Sequence, residues 1–145
     1  VTLDLRHMVD GDRCGLAAFN GHSGLLTIVR DGKSYKLVQS NTLVHLTDRE
    51  KAITGVNADV VEQVDLKRCK KIQLRIDGDF TPGKDIATFY YKIGKGEWTP
   101  IGEPFKMQFD YRRLFMGTRY AIFNYATKQA GGYVDVDSFD YSREE

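Results

Sequence analysis

A chain of 145 residues with a formal net charge of +1 at pH 7 has room for one domain with a sizeable core. A charge so near zero leaves no electrostatic case for nucleic acid or an anionic membrane as partner, and no run of about eighteen apolar residues spans a bilayer. Two cysteines, Cys14 and Cys69, build neither a metal-ligand cluster nor a disulfide framework, and are expected as either a pair or two buried thiols. No signal-peptide pattern opens the chain and Val1 stands where a Met would, which points to an excised or processed piece of open compartment, secreted or cytoplasmic.

Short segments of period-2 alternation recur between turn residues along the chain. "TLDLRHM" alternates and breaks at Asp10-Gly11-Asp12. "GLAAFNG" leads through "HSG" into "GLLTIVRDGKSYKLVQ", where Asp31-Gly32 between two alternating apolar runs is the strongest hairpin signal. "LTDREKAI" offers the one helical cue, the capping-box spacing of Thr47 and Glu50. "KKIQLRIDGDF" sets Ile72, Leu74 and Ile76 on one face and Gln73, Arg75 and Asp77 on the other. "IATFYYKIGKGEW" sets Ala87, Phe89, Tyr91 and Ile93 against Thr88, Tyr90 and Lys92, and its "GKG" reads as a tight turn. "TRYAIFNYA" and "YVDVDSFDY" supply the last strands. Regularly spaced strands without helical interleaving predict an all-β protein, a single antiparallel β-sandwich over residues 1–145.

The last strand carries Asp135 and Asp137 at i and i+2, with Asp140 beyond. Two such carboxylates share a face roughly 7 Å apart. One reading is an acid/base pair, but sandwich-fold glycanases carry a strand resembling Glu-x-Asp-x-x-Glu. This strand has no Glu, and nothing apolar beside the pair would raise a pKa. A calcium site is the second reading, since Asp carboxylates and loop carbonyls are hard oxygen donors. The third is a solvated face opposing buried Val134 and Val136. His7, His22 and His45 have no ligand spacing, and His22 sits in an Asn-Gly-His-Ser-Gly turn. "GKGEW" is no phosphate loop. Trp98 reads equally as a core residue at a hairpin end or as a platform for a sugar ring.

Three stretches, "GDRCGLAAFNGHSGLLTIVRDGKSYKLV", "ATFYYKIGKGEWTPIGEPFKM" and "GTRYAIFNYATKQAGGYVDVDSFDY", resemble in order the C-terminal β-sandwich of family 43 glycoside hydrolases. Those are the β-xylosidases and α-L-arabinofuranosidases. The segment "NTLVHLTDREKAITGVNAD" departs most from the pattern. The resemblance implies a concanavalin-A-like jelly roll following a five-bladed propeller that bears the catalytic carboxylates, with none on the sandwich. Asp135 and Asp137 then line an outer or concave face or help hold a structural cation, calcium. The family loop Phe-Thr-Gly corresponds to Phe115-Met116-Gly117, so the resemblance carries the projecting aromatic role to Phe115.

Two functions follow from the resemblance. The first is a non-catalytic carbohydrate-binding module for β-1,4-xylan or arabinoxylan, with aromatic faces stacking on sugar CH surfaces and polar side chains bonding hydroxyls. Tyr90 and Arg75, each opposite its strand's apolar set, are the expected contacts, with Asn20, His22 and Phe115 at a loop. The second is a structural domain that docks on the catalytic propeller, completes its active site and binds no sugar alone.

Overall fold

The computed structural model describes residues 1–47, 52–113 and 116–144. Among them are the strands β1 (Thr2–Asp4), β2 (Arg13–Phe19), β3 (His22–Asp31), β4 (Ser34–Leu46), β5 (Ile53–Lys67), β6 (Lys71–Asp79), β7 (Ile86–Lys92), β8 (Thr99–Lys106), β9 (Arg119–Tyr125) and β10 (Asp135–Ser138). They form two antiparallel five-stranded sheets, sheet A in the order β10-β1-β6-β7-β8 and sheet B in the order β5-β4-β3-β2-β9. The chain is an antiparallel β-sandwich, the class its alternation predicts.

The core lies between the sheets. Sheet A contributes Leu3, Ile72, Leu74, Ala87, Phe89 and Phe105, and sheet B contributes Cys14, Leu16, Ala18, Leu26, Ile28 and Leu37. In every case these are alternate residues of their strands, because a pleated strand sends successive side chains to opposite faces. The β3–β4 hairpin turns through Gly32-Lys33, with Gly32 at φ +61° in the first loop position, where a primed turn needs positive φ. Gly24 lies under two core rings: a Cβ there would sit 2.6 Å from Phe89 Cζ and 3.0 Å from Phe105 Cδ1. Its missing side chain is what lets sheet A's aromatics reach sheet B.

The structure departs from the alternation at four places. β1 stops at Asp4, because the Leu5 amide turns to the Lys70 carbonyl and Arg6 folds back on Asp4. β7 ends at Lys92, so Ile93 is 45% exposed and not part of the core set. Val136, expected buried, is 46% exposed, on an edge strand whose register shifts between Thr2 and Leu3. β5 and β8, both edge strands, were not readable as strands. β5 is mostly exposed and its alternation breaks at Val60-Val61, where its register with β4 shifts, and β8 carries Pro100, Gly102 and Pro104, which only an edge strand tolerates. The helical turn expected over Thr47 to Glu50 falls on residues 48–51, outside the described residues.

Candidate functional site

On the outer face of sheet A, β6 and β7 pair so that Arg75 stands directly opposite Tyr90. The guanidinium carbon lies 5.0 Å from the Tyr90 ring centroid and 5.5 Å from that of Trp98. Lys92 Nζ lies 5.6 Å from the Trp98 ring. Trp98 therefore sits outside the core, against cations. Arg75 also donates Nε and Nη2 to the two Asp77 carboxylate oxygens, at 2.6 Å each. The result is a cation held between two aromatic rings and a carboxylate. It occupies a face of each ring that a sugar would otherwise stack on.

At one end of the sandwich, Asn20 does not rim a groove: it is 3% exposed. Its Nδ2 donates to the Met116 carbonyl at 2.9 Å and its Oδ1 accepts from the Gly21 amide at 2.6 Å. Arg113 donates Nε to the Val44 carbonyl at 2.7 Å, so Met116 is tied to the β2–β3 turn and Arg113 to β4. His22 is half-buried, with its ring edge-on to Phe105 at 4.7 Å. Burial lowers its pKa, and the charge of Arg113 adds to that. Its Nδ1 has no hydrogen-bond partner among the described residues. Phe115 lies outside the described residues.

The acidic strand β10 pairs with β1 at the edge of sheet A, with Asp135 opposite Asp4. Asp137 accepts from Lys71 Nζ at 2.7 Å. Asp4 is 3% exposed and bridged by Arg6, which holds its carboxyl down to about 2. Arg6 also feels the charges of Asp135 and Asp137. Among the described residues no three His, Cys, Asp or Glu side chains gather as a metal site requires. Calcium takes six to eight oxygens, and here two carboxylates face Lys71 and Arg6 instead. These residues do not fit a calcium ion. Cys14 and Cys69 are free thiols, and burial, with the charge of Asp12, pushes the Cys14 pKa up to about 12.

The open surface lies on the other sheet. On the outer face of sheet B, cross-strand register aligns Gln63, Val38, Thr27, Gly15 and Phe123 in one row. The next row is Val60, Ser40, Leu25, Ala17 and Ala121. Small residues in the middle of both rows leave a groove of about 350 Å³, continuous through Arg13, Thr27, Ser40 and Ala58 with a second hollow of about 380 Å³. Phe123 and Tyr125 wall one side, ring centroids 6.2 Å apart and inclined by 32°. Hydroxyls of Thr27, Ser40 and Thr42 line the floor. Sequence reasoning missed this site. Its signal was the i, i+2 pair Phe123 and Tyr125 with Gly15 and Ala17 at alternate positions of another strand.

Two antiparallel five-stranded sheets with the core between them define a concanavalin A-like sandwich. The chain belongs to the family of β-xylosidase C-terminal concanavalin A-like domains, which it matches over residues 1–142. Among solved structures it is similar to a GH43 glycoside hydrolase engineered to display both endo-xylanase and exo-arabinofuranosidase activity. That similarity has a TM-score of 0.77 and 30% identity, and covers 92% of this chain and 26% of the other. It is also similar to a bifunctional GH43-CE protein of Bacteroides eggerthii, with a TM-score of 0.72 and 30% identity, over 92% of this chain and 16% of that one. The chain thus spans a minor part of both structures. No curated protein matches it significantly.

Proposed function

We propose that this domain is a non-catalytic accessory part of a family 43 glycoside hydrolase and holds β-1,4-xylan or arabinoxylan for a separate catalytic module. The observation that carries the reading is the groove on sheet B, with the Phe123–Tyr125 wall beside a floor of hydroxyls. Pyranose rings present CH surfaces to aromatic faces and hydroxyls to polar groups, so a groove with both suits a sugar chain. The structural neighbour with endo-xylanase and exo-arabinofuranosidase activity supports the choice of polymer.

Affinity electrophoresis through xylan, arabinan and glucan gels tests the proposal. The wild-type domain should be retarded by xylan, and Phe123→Ala should lose most of that retardation while migrating normally in a glycan-free gel. Equal mobility of the wild type in all gels would sink the reading. Aryl xylosides, aryl arabinosides and soluble xylan should not be turned over by the isolated domain.

A second reading, docking on the catalytic propeller to complete its active site, is favoured by the anchoring of the segment at Met116 through buried Asn20. It expects Asn20→Ala to lower turnover in the complete enzyme while leaving the domain's retardation on xylan intact.

A further inference from the structure

We infer that the groove on sheet B recognises a carboxylate on its glycan, so that the ligand is a sugar chain carrying a uronic acid. This rests on the reading that the groove holds a glycan and adds which chemical decoration it selects.

The two hollows of the groove differ in character. The first is walled by Phe19, Phe123 and Tyr125 over Ala17 and Ala121, and has no charged side chain except Arg13. The second shares Arg13 and adds Arg30, Lys36 and Lys128 against the single carboxylate of Asp31. The two lysines are already neutralised, Lys36 by Asp31 at 3.1 Å and Lys128 by Asp10 at 2.8 Å. The two arginines are not. Arg30 gives Nε to the Gly32 carbonyl and Nη1 to the Tyr35 hydroxyl, both at 2.6 Å and both to neutral partners, although the charge of Asp10 lies within its reach. Arg13 is exposed and its side chain makes no hydrogen bond or ion pair among the described residues.

Arg13 is therefore an unpaired guanidinium at the junction between an aromatic hollow and one with positive charge in excess. It stands between Tyr125 and Val29 in its cross-strand row, beside the aromatic wall. A neutral sugar needs the aromatic half and the hydroxyls but gains little from that excess charge. A uronate on a chain lying along Phe123 and Tyr125 meets Arg13 with the planar, two-oxygen geometry that a guanidinium binds in bidentate fashion.

The test compares a xylo-oligosaccharide bearing one glucuronate with the same oligosaccharide after reduction of its carboxyl to the alcohol, by titration calorimetry at low and high salt. Wild type should bind the acid form roughly tenfold more tightly than the reduced form, the scale of one charge-assisted hydrogen-bonded contact. The preference should narrow as salt rises. Arg13→Gln should abolish it, and Arg13 is exposed, so the fold should not be at issue. Equal binding of both forms by wild type, with both lost in Phe123→Ala, would overturn the inference while keeping the groove as a glycan site. An undiminished preference in Arg13→Gln would overturn it as well. No binding of either form would remove the glycan reading itself, and this inference with it.

Discussion

Arg75 and Tyr90 occupy directly opposed positions on β6 and β7, and the guanidinium lies 5.0 Å from the ring centroid. A contact of this kind at a surface is worth about 0.5–1 kcal/mol. Tyr90→Ala should therefore lower stability by no more than about 1 kcal/mol in urea unfolding. Because Arg75 already covers its ring, the variant should keep its retardation on xylan gels. Loss of retardation in a folded Tyr90→Ala would move the glycan site to the Arg75–Tyr90–Trp98 surface.

The Asp4–Arg6 bridge makes stability depend on acid. The folded carboxyl sits at about 2, pulled down chiefly by hydrogen bonds from Arg6, below an unfolded value near 3.9. A depressed carboxyl stabilises fully above its unfolded pKa and loses that contribution as pH falls through the folded one. Asp4→Asn should melt lower than wild type at pH 7, and the gap should close between about pH 4 and pH 2. A gap that persists unchanged at pH 2 would show that the loss is packing rather than charge.

Gly15 lies under the Phe123 ring, where a Cβ would come 1.8 Å from the Leu26 carbonyl oxygen and 3.1 Å from Phe123 Cζ. The first neighbour is backbone in an adjacent strand and cannot step aside. Gly15→Ala should cost about 1–3 kcal/mol, seen as a lower urea midpoint with an unchanged slope. An unshifted midpoint would mean that β2 and β3 separate more easily than their ladder implies.

Asn20 satisfies the Gly21 amide and the Met116 carbonyl at once. Asn20→Ala leaves a buried donor unpaired and should cost about 1–3 kcal/mol. Faster hydrogen exchange at the Gly21 amide should accompany the loss, and unchanged exchange there would argue that water replaces the side chain.

Chelator should not alter the melting curve, since Lys71 already neutralises Asp137 and Arg6 neutralises Asp4. A fall of several degrees in chelator, reversed by added calcium, would require a cation site elsewhere in the sandwich.

The β-sandwich class, the inward faces of β6 and β7 and the turn at Gly32 were legible in the residues, because period-2 alternation and turn chemistry are local properties of a strand. Leu74 and Phe89 are buried, and Arg75 and Tyr90 point away from the core, whatever strand lies alongside. β8 was hidden because its prolines and glycine are breakers everywhere except on an edge, and a sequence does not say which strand is the edge. Asn20 looked like a loop residue free to touch ligand, yet it is buried and bonded to Met116, a residue far along the chain. The groove was the least legible feature. Ala17, Ser40 and Ala121 are unremarkable where they stand in sequence, and only strand order lays them side by side. The pairing of β2 with β9 sets Phe123 over Gly15 and Tyr125 beside Arg13. What the sequence by itself determined was which face of each strand turns inward, a consequence of backbone pleating alone. Which outward faces meet to form a surface was decided only by long-range register, because strands far apart in sequence, such as β2 and β9, must lie side by side for those faces to adjoin.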